Sequence, residues 1–157
     1  MNLKKVKTVV DDWIAKISKI QPSGKPICPY AAKARYLIYP YEDRLSMQVK
    51  ASNFDSKNYD LYLCFPTNQF MTFEEATRLE DDLNRMSKDT VVLLDHWKNP
   101  GFIGGVNTSN EKYVVFLIQD KKGLLKARKH LMTTDYYNNW SEEYYKKITQ
   151  TGIIKSY

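Results

Sequence analysis

The sequence is poor in cysteine, histidine and glycine, and it has no long apolar run. Its 157 residues include 2 cysteines, 2 histidines and 6 glycines. Two cysteines are too few for the disulfide framework of a small secreted domain, and no apolar run reaches the length of a membrane span. Asp11 and Asp12 interrupt the apolar residues after the basic N-terminus, so we expect no signal peptide. We therefore expect a cytoplasmic protein without a membrane partner.

Motifs of common cofactor and metal sites are missing as well. The glycine-containing turn at 102–105 lacks the lysine and serine of a P-loop and does not match GxGxxG. Cys28, Cys64 and His96, with Asp95 as a fourth ligand, carry metal-binding side chains, but no CxxC or HxxxH spacing supports a shared site. We expect no metal, and the residues indicate no particular cofactor.

The chain also lacks runs of like charge, although its formal net charge is +6. The first and last thirds carry more Lys and Arg than Asp and Glu, whereas the middle third is acidic. No run of five or more basic residues marks a disordered arm that binds nucleic acid. The charge distribution therefore favours a solvated basic surface over a dedicated nucleic-acid face.

The composition is that of a packed globular chain. The sequence is 43% hydrophobic and 13% aromatic, and its length suits one domain over residues 1–157. Lysine, asparagine, isoleucine and tyrosine are abundant while alanine and glycine are sparse. This bias is typical of an A+T-rich genome, such as that of a small bacterium or a phage.

Apolar periodicity predicts an α+β fold. Apolar residues recur at three- and four-residue steps in the helical segments, and Thr72 and Glu75 form a capping-box pattern at the start of one helix. Aromatic and aliphatic runs predict the strands, the first two of which form a hairpin. The predicted helices cover 3–20, 72–86, 121–132 and 139–148, and the predicted strands cover 34–39, 45–49, 59–65, 90–94 and 113–118. A mixed sheet of about five strands with helices on one face, a ferredoxin-like sandwich, accounts for this order.

Two segments with reactive side chains lie at the ends of predicted elements. Cys28 follows a segment rich in proline and glycine, and Asp95 and His96 follow a buried strand. In open α/β sheets the carboxyl ends of the strands are where ligands usually bind. Lys25 and Lys33 lie near Cys28 in the sequence, a setting that favours a lowered thiol pKa. Both segments are therefore candidate parts of a site.

The same two segments resemble a known family. Trp13 and the Cys-Pro-Tyr-Ala segment that begins at Cys28 are similar to the Cys-Pro-Phe-Ala opening of domain-of-unknown-function family 1415, an uncharacterised bacterial family. The segment 95–104 is similar to that family's Phe-His-Pro motif, although Trp97 stands in place of the proline. The resemblance spans residues 9–150. It implies no established reaction, so it supports the choice of residues rather than a mechanism.

We interpret the two segments as the site of a small soluble enzyme. Cys28 would supply the thiol, His96 the acid or base, and Asp95 a carboxylate that orients His96. The basic surroundings favour a small, anionic substrate. Each assignment also has a structural alternative. A lone cysteine such as Cys28 is commonly a buried apolar side chain. Adjacent residues of a strand, such as Asp95 and His96, point to opposite sides. The sequence does not indicate the oligomeric state.

The alternative function is that of an accessory protein that binds single-stranded nucleic acid. The chain has 12 tyrosines, several of them beside a basic residue, as at Arg35-Tyr36 and in the segment 144–146. Aromatic rings can stack on bases while cations hold phosphates. The aromatic-glycine pattern of RNA-recognition motifs is missing, however.

Overall fold

A mixed β-sheet lies at the centre of the part of the chain that the computed structural model describes, residues 1–153. The strands are β1 (Tyr36–Tyr41), β2 (Leu61–Pro66), β3 (Thr90–Asp95), β4 (Phe102–Ile103), β5 (Val106–Asn107) and β6 (Val115–Asp120). The helices are α1 (Leu3–Ser18), α2 (Arg44–Ser52), α3 (Phe73–Met86), α4 (Lys121–Met132) and α5 (Glu142–Gln150). Within residues 1–153 the main sheet has four strands in the order β1-β2-β6-β3, and β4 pairs with β5 in a separate hairpin.

The strand directions place two loops at the same end of the sheet. β1 is parallel to β2, and β6 is antiparallel to both β2 and β3. It follows that β2 and β3 are parallel to each other, with β6 between them. The parallel strands predicted on either side of the capped helix α3 are confirmed, and the loops after β2 and β3 lie side by side.

Helices cover both faces of the sheet, because β2 is apolar on both sides. Cys64 packs in one core cluster with Met47 of α2 and Leu83 of α3. Leu63, the preceding residue of β2, packs on the other face against Val10 of α1. The predicted placement of helices on one face is therefore wrong, and the ferredoxin-like arrangement is not confirmed. The broader α+β class is confirmed.

The segment 45–49, predicted as a strand, belongs to helix α2. The Asp43 side chain caps this helix by accepting a hydrogen bond from Ser46 N (2.7 Å). Met47 and Ala51, which are four residues apart, are the buried residues of the helix. Its aliphatic residues suggested a strand here, but burial follows the helical period instead. Because α2 connects the parallel strands β1 and β2, the main sheet has one strand fewer than predicted.

Helix boundaries elsewhere follow caps that the sequence predicted. Thr72 Oγ1 accepts from Glu75 N (3.1 Å), and the Glu75 carboxylate accepts from Thr72 N (2.9 Å). Asp120 accepts from Gly123 N (2.8 Å) at the start of α4. The last helix begins later than predicted, after a 3₁₀ turn, and Ser141 caps it.

Within residues 1–153, none of the helices combines the length and the hydropathy that a membrane span needs.

Strand β3 is an edge strand of the sheet and pairs with β6 on one side only. Side chains at the end of α3 make hydrogen bonds to backbone groups on its other, outer side. Asn84 Oδ1 accepts from Val92 N, and Asn84 Nδ2 donates to Val92 O, both at 2.8 Å. At the start of the strand, Ser87 Oγ accepts from Thr90 N (3.3 Å). An edge strand otherwise exposes these groups to pairing with another chain. The Asn84 amide therefore occupies the place of a neighbouring strand.

Helix α5 crosses this same edge and connects the two helical layers. Lys147 lies over the ring of Phe73 at the start of α3, 5.6 Å from its centroid. Arg128 of α4 donates to Ile148 O (2.7 Å) near the end of α5. Because α3 and α4 flank β3 from opposite faces, these contacts fix α5 across the edge.

We predict that Asn84→Ala lowers the free energy of unfolding by about 2 kcal/mol or more, since it leaves two buried backbone groups of β3 without partners. Asn53→Ala is the matched control, because the Asn53 amide makes one exposed hydrogen bond, to Val49 O. Chemical denaturation measures both losses. Equal losses in the two variants would contradict the edge role of Asn84.

Candidate functional site

A groove of about 620 Å³ lies between α4 and the loop that carries Cys28. Its apolar wall includes Leu124 and Leu131 of α4 and Leu93 of β3. Aromatic side chains supply much of the remaining surface, namely Tyr30, Tyr59, Tyr136, Tyr137 and Trp140. Concave, mostly apolar surfaces with a few polar groups are typical of small-molecule sites.

The Cys28 loop is fixed to its surroundings at three points. Cys28 N donates to Ile17 O at the end of α1 (2.8 Å). The hydroxyl of Tyr136 donates to the carbonyl of the preceding residue, Ile27, and Lys25 forms an ion pair with Asp135. The thiol is therefore held at the groove by contacts with α1 and with the segment after α4.

The environment of the Cys28 thiol favours its protonated form. Burial raises its pKa, and this effect exceeds the opposing hydrogen bonds from the backbone N–H groups of Tyr30 and Ala31. The sequence suggested the opposite direction, because Lys25 and Lys33 lie nearby. Lys25, however, is engaged by a carboxylate. Burial thus acts to keep the Cys28 thiol protonated.

His96 is buried at the end of β3, with both ring nitrogens engaged by the backbone. It is 3% exposed. Nε2 lies 3.0 Å from Met71 O, and Nδ1 accepts from Lys98 N (3.2 Å). Because a carbonyl only accepts, Nε2 carries the proton. The ring also makes an edge contact with Phe73, 5.8 Å between centroids. His96 therefore connects the loops that follow β2 and β3.

Asp95 has a different set of partners from His96. Its Oδ2 accepts from Ser109 Oγ (3.3 Å), Asn110 N (2.9 Å) and Asn110 Nδ2 (2.6 Å). Burial raises the pKa of this carboxyl, while the hydrogen bonds from Asn110 and Ser109 and the charge of Lys16 act against the rise. Asp95 thus fixes the loop before β6 and does not orient His96.

The structure does not bring the three predicted site residues together. Cys28 lines the α4 groove, whereas His96 lines a separate cavity of about 390 Å³ with the residues after β2. The two cavities share no lining residue. Cys64 is fully buried in the core against α2 and α3, where burial raises its pKa to about 12. Among residues 1–153, no three His, Cys, Asp or Glu side chains are grouped to hold a metal ion.

Arg128 is a groove residue that our sequence interpretation missed. It lines the groove and is 8% exposed. Its guanidinium donates to Ile148 O (2.7 Å) and Thr149 O (3.5 Å), and it has no carboxylate partner among residues 1–153. Burial lowers its pKa from the ordinary value. The signal was present, because Arg128 falls between Leu124 and Leu131 on the apolar stripe of a predicted helix.

The tyrosines considered for base stacking make contacts within the chain. The hydroxyl of Tyr36 donates to Asp11 (2.7 Å), and Arg35 pairs with Asp60 (2.9 Å). Tyr144 packs so closely on Gly101 that a Cβ at this position would overlap its ring. Tyr36, Arg35 and Tyr144 are therefore all engaged within the protein.

Comparison with known proteins gives no match. No protein-family model matches the chain, and no significant match was found among curated proteins or solved structures.

We predict that His96→Gln leaves the reaction rate of the Cys28 thiol with a chromogenic disulfide reagent unchanged within about twofold, because residues with no shared partners act independently. The buried Cys64 should not react in the folded protein, and Cys64→Ala checks that the signal comes from Cys28. A large fall in rate in folded His96→Gln would restore the predicted Cys28 and His96 pair.

Proposed function

We propose that the α4 groove binds a small, largely apolar molecule that carries one acidic group, and that the Cys28 thiol contacts this molecule. The apolar part of the proposal rests on the aliphatic side chains of α4 and β3 and on the aromatic rings opposite them. Aromatic rings bury large areas and favour flat or aliphatic ligand surfaces.

The buried cation Arg128 is the reason that we propose an acidic group on the ligand. Two acidic residues also line the groove, but Asp60 is paired with Arg35 and Asp120 caps α4. Arg128 has five N–H donors, of which two are used by backbone carbonyls of α5. Lys33 lines the same groove. Arg128 and Lys33 are therefore the cations that the groove offers to an acidic group.

Binding, rather than rapid thiol catalysis, is the activity that this geometry supports best. A protonated thiol is a weak nucleophile, and His96 belongs to another cavity. The prediction of an enzyme that uses Cys28, His96 and Asp95 stays a prediction, as does membership of domain-of-unknown-function family 1415. Binding of single-stranded nucleic acid also stays a prediction.

We predict that anilinonaphthalene sulfonate, an aromatic anion whose fluorescence rises in apolar sites, binds the folded protein and slows alkylation of Cys28. Ala127 of α4 lines the groove, so Ala127→Trp should weaken this binding by about tenfold or more, since the new ring fills the groove. Lys126→Trp is the control, because it places the same ring at the neighbouring, exposed position of α4.

Fluorescence titration of the three proteins measures these affinities, and mass spectrometry follows the alkylation. Equal affinities in both tryptophan variants, or alkylation of Cys28 at the same rate with the probe bound, would contradict the groove as the binding site. A folded wild-type protein that does not bind the probe would count against an apolar, anion-binding groove.

A further inference from the structure

Glu80 lies one helical turn before Asn84 and faces the same outer edge of β3. Its Oε2 accepts a hydrogen bond from Leu94 N. Leu94 is two residues beyond Val92, so the backbone N–H and C=O of both residues point away from β6. Asn84 satisfies both groups of Val92, because an amide both accepts and donates. At Leu94 the hydrogen bond from the Glu80 side chain is to the N–H group alone.

The hydrogen bonds that Glu80 can make at this position depend on whether its carboxyl group is protonated. An ionised carboxylate only accepts, so it cannot donate a hydrogen bond to Leu94 O. A carboxylic acid both accepts and donates, as an amide does. Glu80 is 8% exposed, and burial of an ionised carboxylate is costly.

We propose that Glu80 is held as a carboxylic acid on the edge of β3, where its carbonyl oxygen accepts from Leu94 N and its hydroxyl donates to Leu94 O. Glu80 and Asn84 then satisfy successive outward-facing residues of β3 in the same way. The proton forms a latch between α3 and β3, and loss of the proton weakens that contact.

The charges around Glu80 agree with a latch that responds near neutral pH. Burial raises the pKa of Glu80 to about 7, and the charge of Asp81 on the same helix acts in the same direction. Lys147 of α5 and the hydrogen bond from Leu94 N oppose this rise. The pKa of Glu80 in the folded protein therefore lies above its ordinary value of 4.5. The stabilisation by this proton is complete below pH 4.5 and is lost as the pH rises through about 7.

The test compares the pH dependence of unfolding in the wild type and in Glu80→Gln, whose amide reproduces the acceptor and the donor. Between pH 5 and 8 the unfolding equilibrium constant of the wild type should rise relative to that of Glu80→Gln by on the order of 100-fold. Glu74→Gln removes an exposed carboxylate from the same helix but keeps Glu80, so its pH profile should follow that of the wild type. Wild type and Glu80→Gln with parallel profiles would overturn the proposal.

A second measurement needs no variant to fold. In wild-type protein with isotope-labelled glutamate, infrared spectra at pH 6 should show the carbonyl band of one protonated carboxylic acid, which disappears at pH 9. Spectra in which every glutamate is ionised at pH 6 would overturn the latch, whatever the stability of the variants.

Discussion

The outer edge of β3 is the place where the layers of this fold are joined. An unpaired strand edge invites pairing with other chains, and here Asn84 satisfies the backbone of Val92 in the manner of a neighbouring strand. Helix α5 then crosses the closed edge, with Lys147 against Phe73 of α3 and Ile148 against Arg128 of α4. The position of Arg128 in the α4 groove therefore depends on contacts made at the strand edge.

The three residues predicted to form an active site do not line one cavity. His96 and Asp95 are adjacent in the sequence, yet each fixes a different loop through hydrogen bonds to the protein. Of the three, only Cys28 lines the α4 groove, which the buried cation Arg128 also lines. This separation is the reason that we propose ligand binding at one groove rather than a cysteine and histidine pair.

Much of the fold follows from local sequence signals, whereas the site depends on tertiary contacts. The caps of Thr72 and Asp120 and the buried run of β3 are local features, and the sequence predicts them well. The segment 45–49 misled because it is rich in aliphatic residues, although the burial of Met47 and Ala51 follows a helical period. No local pattern shows that Cys28 and Arg128 share a groove, since 100 residues separate them in the sequence.

Amide hydrogen exchange at β3 tests the closed edge most directly. The account predicts that the N–H groups of Val92 and Leu94, which point away from β6, exchange as slowly as that of Leu93, which faces β6. Their protection would come from the side chains of Asn84 and Glu80. Rapid exchange at Val92 and Leu94 beside a protected Leu93 would show an open edge and contradict the account.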